Sequence, residues 1–185
     1  MQWNRHLKLR GEHAFLSPSS YHWINYTPSR LAERWTVAQA SAYGTAQHDY
    51  AMQEIIAGRL SDHPGMLGVY INDCIEHKMV PEQILFYSEN CFGTADAISF
   101  RYNKLRIFDY KSGLVKGSVH QLEVYAAIFC LEYEKDPFEI KIELRIYQDD
   151  EVSVYDADPE DILLIMEKIQ DFDRQIQQLR LEEES

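Results

Sequence analysis

No apolar run in this 185-residue chain approaches the ~20 residues that a membrane-spanning helix requires, and the opening Met1-Gln2-Trp3-Asn4-Arg5-His6 does not lead into a signal peptide's apolar stretch. Action in the cytoplasm is the expectation. Cysteine is scarce: Cys74, Cys91 and Cys130 are odd in number and widely scattered, which argues against a disulfide framework or a zinc site and leaves structural burial as their role. A Walker-type phosphate loop, a zinc finger and a GxSxG elbow are all missing, and no histidine has the serine or cysteine context of a hydrolytic triad. Internal repeats and low-complexity stretches are lacking too. Positive charge is in short supply, with 18 Lys and Arg against 30 Asp and Glu for a net charge of −12. Any hold on nucleic acid is therefore expected to be weak and salt-sensitive, steered by local patches.

The deficit is uneven. Residues 1 to 120 carry 12 Lys and Arg against 11 Asp and Glu, whereas residues 121 to 185 carry 6 against 19. The length, with 45% hydrophobic and 26% charged residues, fits one soluble domain with a substantial core.

Patterning along the chain predicts an α/β fold. Ser17-Pro18-Ser19-Ser20 opens a helix bearing Tyr21, Trp23 and Ile24, and after Pro28 a second helix runs from Ser29 through Trp35 into Val37 to Ala42. Arg30 and Arg34, one turn apart, face either solvent or a phosphate. Another helix spans Thr45 to Leu60, with His48 near its first turn and Ala51, Met52, Ile55 and Ile56 on its buried stripe. Asp49 is expected at solvent, and His63 in a Ser61-Asp62-His63-Pro64-Gly65 loop. A helix over Gly68 to Met79 precedes strands over 82–88, 95–101, 105–110, 138–147 and 151–155, which form a central mixed sheet flanked by helices. In the fourth strand Ile142, Leu144 and Ile146 point inward and Lys141, Glu143 and Arg145 outward. The helix over 120–133 links two strands, and Lys116 lies in the connection before it, free to touch DNA. Pro159 to Glu183 makes a last helix. Its Ile162, Ile165, Ile169, Phe172, Ile176 and Leu179 form a heptad-like seam that either packs on its own domain or pairs with a second subunit.

The segment from Gly93 to Lys111 carries the chemistry. With a turn at Tyr102-Asn103, antiparallel pairing sets Phe100 against Leu105, Ile98 against Ile107 and Asp96 against Asp109, and Lys111 falls on the face of Asp109. Like charges facing each other destabilise a sheet unless they are neutralised. Carboxylate oxygens are hard ligands, so Mg²⁺ or Mn²⁺ would neutralise them, and the Lys111 ammonium beside the ion can offset charge on a phosphate. A surface hairpin with a salt bridge is the plainer reading of the same residues.

Gly93-x-x-Asp96, Asp109-Tyr110-Lys111 and Gln121-x-x-x-Tyr125, in that order, resemble the core motifs of the PD-(D/E)XK nuclease superfamily, in its RecB/Cas4-like exonuclease branch. Gly44-Thr45-Ala46-Gln47-His48 is similar to that branch's first motif, and Leu16-Ser17-Pro18-Ser19-Ser20 before a Trp-bearing helix resembles small phage-encoded members. The resemblance covers about residues 16 to 155. It implies a restriction-endonuclease-like core within a single domain of residues 1–185: a helical layer over 16–80, a catalytic α/β core over 82–155 and a C-terminal helix over 159–185. The activity implied is metal-dependent hydrolysis of DNA, favouring an exonuclease that processes ends in replication, recombination or repair, in a bacterial or phage-infected cell. By the same resemblance His48, Asp96, Asp109 and the carbonyl of Tyr110 hold two Mg²⁺ or Mn²⁺ ions, and Lys111 orients the attacking water. Gln121 hydrogen-bonds near the metal or phosphate, and Tyr125 buttresses the site or contacts DNA. Without the resemblance, Tyr125 reads as core and Gln121 as an exposed helix start. Glu89 is a candidate outer partner, and Arg30, Arg34 and Lys116 are candidate DNA contacts. Iron-sulfur relatives use four cysteines, so no cluster is expected. A homo-oligomer or a recombination protein is the implied partner. The alternatives are a catalytically silent nuclease fold that binds DNA or protein, and a structure-specific endonuclease.

Overall fold

Tyr102 and Asn103 both adopt left-handed backbone, at φ 52° and 55°, the geometry that a two-residue turn between right-twisted strands demands. They join β2 (Cys91–Arg101) to β3 (Lys104–Lys111) in the expected register, Phe100 opposite Leu105 and Ile98 opposite Ile107. The structure is a computed structural model that describes Phe15, Leu16 and residues 18–113 and 116–183. It is an α/β fold whose five-stranded mixed sheet runs β1 (Val80–Ser88), β2, β3, β4 (Lys141–Gln148), β5 (Glu151–Asp156). Only β3 and β4 are parallel, and α3 (Val119–Glu132) makes the crossover that a parallel pair requires.

The described residues form two compact units, one ending at Thr45 and one beginning at Ala46. The first holds a 3-10 helix, Pro18–Asn25, and the opening half of α1 (Pro28–Ala57), with Phe15 edge-on to Trp35 at 5.2 Å. The proposed cap Ser17 lies outside the described residues. The two helices expected over 29–42 and 45–60 are one continuous α1. Gly44 lies inside that helix, and a single interior glycine costs only about 1 kcal/mol relative to alanine.

In the second unit the sheet is covered on both faces. Leu122, Ala126 and Phe129 of α3 and Ile162 of α4 (Pro159–Glu183) pack over Leu85, Ile98, Ile107, Leu144 and Ile146. On the other face Ala51 and Ile55 of α1 join Leu67, Tyr70, Ile71 and Cys74 of α2 (Met66–Glu76), over Ala97, Phe108, Tyr110 and Tyr147. Cys74 and Cys130 are buried and burial pushes both thiols up, Cys130 to about 11, which leaves them unreactive.

Double coverage corrects the one-sided reading of β4. Its second face is not solvated: Glu143 and Tyr147 are buried, and Arg145 and the Tyr147 hydroxyl both bond Asp73 of α2, at 3.1 and 2.7 Å. The seam on α4 divides. Ile162, Ile165 and Ile169 pack on the core, whereas Phe172, Ile176 and Leu179 are exposed. Beyond Ile169 the buried residue is Asp173, which accepts hydrogen bonds from Ser88 (2.6 Å) and Asn90 (2.8 Å), so a polar latch onto the β1–β2 turn takes the place of the apolar seam. No described helix is long and apolar enough to cross a membrane.

Candidate metal centre

Main-chain pairing of β2 with β3 ends at Ala97 opposite Phe108. β3 continues beside β4 as far as Lys111 opposite Gln148, and the Tyr110 N–H donates to the Asp96 carboxylate at 3.0 Å. Asp96 therefore fills the gap where β2 leaves β3. The alternation of β2 breaks at this residue: Ala95 packs in the core beneath α3 and Ala97 in the core beneath α1 and α2, two positions apart yet on opposite faces. Across from the break, between Pro81 opposite Ala97 and Gln83 opposite Ala95, Glu82 sits at φ 49°. Left-handed backbone costs a non-glycine residue about 1–2 kcal/mol. An irregularity of this kind re-aims side chains that a regular ladder would hold apart.

The side chains it re-aims meet His48. The His48 Nδ1 is 3.6 Å from Asp96 Oδ2 and 3.8 Å from Glu82 Oε1, and one donor atom from each of the three lies within 4.8 Å of the others. Donors bound at ~2.0–2.2 Å to one small cation stand ~3–4 Å apart, so the spacing suits an ion. Asp109 is not one of the trio but stands beside it. Its side chain is 4% exposed; Oδ1 accepts a hydrogen bond from Lys111 Nζ at 3.0 Å, and Oδ2 is buried with no hydrogen-bond partner.

An unpaired buried acceptor costs about 1–3 kcal/mol. The charge balance is also adverse: burial first, then the negative charge of Asp109, push Asp96 up to about 6, against the opposing pull of His48, the Tyr110 N–H and Lys111. A divalent cation fits these residues on three grounds: an oxygen-rich donor set, an orphaned carboxylate oxygen, and an acid held above its usual range by a neighbouring acid.

Tyr110 supplies the backbone N–H just described, and its ring packs between Tyr70 at 5.6 Å and His48 at 5.7 Å while its hydroxyl bonds Gln47. Tyr125 is half-buried. Its hydroxyl donates to the Thr94 carbonyl at 2.7 Å, two residues before Asp96, and Gln121 hydrogen-bonds the same hydroxyl. Gly93 packs closely there: a Cβ would lie 3.0 Å from the Tyr125 ring, which would have to shift by a few tenths of an ångström. These residues position the strand that carries Asp96. Tyr125→Phe is expected to cost about 0.5–1.5 kcal/mol in urea denaturation and to weaken Mn²⁺ affinity by roughly 10-fold, the second effect distinguishing a positioning role from a merely structural one.

The remaining candidates lie elsewhere. Glu89 is exposed on the β1–β2 turn, so the acid that joins the site is Glu82. The β1–β2 turn falls at Glu89-Asn90, with Ser88 opposite Cys91, and a one-residue register shift between Phe86 and Ser88 is what brings Glu82 level with Asp96. Asp49 is exposed, and exposed His63 bonds the Pro64 carbonyl at 2.7 Å. Lys116 pairs with Asp149 at 2.8 Å on open surface, a contact worth about 0–1 kcal/mol. Arg30, in the first unit, pairs with Glu33 at 3.4 Å, and Arg34 lines a pocket there with Trp23, Tyr26, Val37 and Ser41.

Compared with known proteins, the chain matches no family model, no curated protein and no solved structure.

Proposed function

We propose that this protein is a Mg²⁺- or Mn²⁺-dependent deoxyribonuclease, acting as an exonuclease on DNA ends. The observation that carries the reading is the orphaned, buried Asp109 oxygen beside the His48, Glu82 and Asp96 donors, with Lys111 bound to the same carboxylate. That arrangement agrees with the motif order that resembles the RecB/Cas4-like branch of the PD-(D/E)XK nucleases. His48, Glu82, Asp96 and Asp109, with the Tyr110 carbonyl, are the donors for one or two ions. Bound there, a divalent cation supplies Lewis acidity toward a phosphodiester and activation of water. Lys111 donates to Asp109 Oδ1 at 3.0 Å, and its ammonium places positive charge where a phosphate develops negative charge. Tyr125 and Gln121 keep the Asp96 strand in place. Nothing in the chain resembles a separate base-reading module, which favours ends over sequence-specific cutting.

The test is digestion of end-labelled linear, nicked and circular DNA with Mn²⁺. Loss of linear DNA with circles intact, abolished by Asp109→Ala and by Lys111→Ala, is the expected outcome. Undiminished cleavage by both purified variants would reject the assigned roles, and discrete bands from circles would make the enzyme an endonuclease. One observation favours a second reading, a silent nuclease fold that binds a partner: residues 121 to 185 carry 19 acids against 6 bases, an adverse surface for gripping duplex DNA. That reading requires no cleavage of any of the three substrates.

A further inference from the structure

The far end of the β2–β3 hairpin gathers positive charge that the metal centre does not use. Arg101 is the register partner of Lys104, and Lys104 is the register partner of Lys141, so three cations occupy one rung across three strands. Partners on a rung project to the same face, where like charges repel. Arg106, two residues beyond Lys104, shares that face. The four line a pocket of about 360 Å³ together with Tyr102, Asn103 and Glu139. Its backbone is tied down: the Lys141 N–H bonds the Asn103 carbonyl at 2.9 Å, and the Asn103 amide reaches the Glu139 carbonyl at 3.4 Å.

Neutralisation is incomplete. Glu143 is shared among Lys104 (2.5 Å), Arg106 (3.4 Å) and Arg145 (3.0 Å), the last of which also pairs with Asp73. Arg101 and Lys141 are exposed and have no ion-pair partner among the described residues, and the Arg106 Nε is buried without a hydrogen bond. In a chain of net charge −12, such a cluster is the local exception. Just as the facing acids of the metal centre are relieved by a cation, these cations are relieved by an anion.

The donors define the anion. Two guanidinium forks and two ammonium groups around one pocket offer more N–H bonds than a carboxylate can accept, whereas a phosphate presents several oxygens to several donors at once. Tyr102, 99% exposed at the turn, adds an aromatic face of the kind on which bases stack. We propose that the pocket at the β2–β3 turn binds a phosphate group, supplied by a nucleic-acid strand or by a free nucleotide. Asp109 is five residues along β3 from Lys104, ~17 Å at ~3.3 Å per residue, so this phosphate is not the one at the metal centre. The assignment stands on the turn's own residues and does not depend on the nuclease reading.

The test is fluorescence anisotropy of a labelled, 5′-phosphorylated single-stranded oligodeoxynucleotide, measured in EDTA so that no cation engages the other site. The comparison is wild type against the double variant Arg101→Gln, Lys141→Gln, whose changes lie on exposed side chains. The expected result is at least a 10-fold weaker affinity and a dependence of log K on log salt shallower by about 1.4, or ~0.7 per lost contact to a single strand. Displacement of the probe by inorganic phosphate identifies a site for the phosphate group alone, and displacement by AMP but not phosphate identifies one that also takes the base. Unchanged affinity and salt dependence in the variant would overturn the proposal, as would binding that neither compound displaces.

Discussion

Asp96→Asn is expected to abolish cleavage, a loss on the order of 10³-fold or about 4 kcal/mol of barrier, while making the metal-free protein more stable at neutral pH. The two effects share one cause. Burial and the charge of Asp109 hold Asp96 up to about 6, well above its range in an unfolded chain, so at pH 7.5 its ionised form opposes folding. Asparagine removes that charge and keeps an oxygen for the Tyr110 N–H, which now binds Asp96 at 3.0 Å. It also removes a donor from the trio with His48 and Glu82. Lys111→Ala is the informative contrast. It too should abolish cleavage, but it lowers stability, because Asp109 is buried and Lys111 Nζ is its one side-chain partner among the described residues. Thermal unfolding in EDTA separates the two signs.

The hairpin bearing Asp96, Asp109 and Lys111 is legible in the sequence because two short-range rules agree on it: period-two alternation of Ile98, Phe100, Leu105 and Ile107, and a turn at Tyr102-Asn103. Gln121 and Tyr125 are legible as a pair because four residues make one helical turn. What resisted reading depended on tertiary context. Glu82 joins the site through a break in the β1–β2 ladder, and local patterning carries no sign of a lone residue at φ 49°. The outer face of β4 is polar by sequence yet buried, since Asp73 of α2 supplies the partner that lets Arg145 and Tyr147 sit inside. On α4 the heptad pattern marks Phe172, Ile176 and Leu179 as a seam, but the hydrogen bonds of Asp173 to Ser88 and Asn90 decide which side faces the domain.

The second large effect is a cation-dependent stability whose size follows pH. Because the folded-state pKa of Asp96 is raised, its contribution to stability is fully present below the unfolded value near 4 and is lost as pH rises through about 6. The thermal stability of metal-free wild type, compared with Asp96→Asn to cancel every other titrating group, should therefore improve on acidification from pH 7.5 to pH 5. Mn²⁺ acts in the opposite sense. It requires ionised Asp96, so protons compete with it below about pH 6, and its stabilisation is greatest at pH 7.5. At a hundredfold excess over the dissociation constant that stabilisation is ~2.7 kcal/mol, or a rise of ~5–10 °C for a chain of this size. A Mn²⁺ shift that does not depend on pH, or that Asp96→Asn leaves intact, would place the ion elsewhere.

Calorimetric titration of Mn²⁺ into the wild-type protein at pH 7.5, repeated on Asp96→Asn and Glu82→Gln, tests most directly whether three elements of the fold bring their donors to one ion. Saturable binding to wild type, lost in the first variant and weakened in the second, is the result the account predicts. Absence of binding to wild type, or identical isotherms for all three proteins, would contradict it.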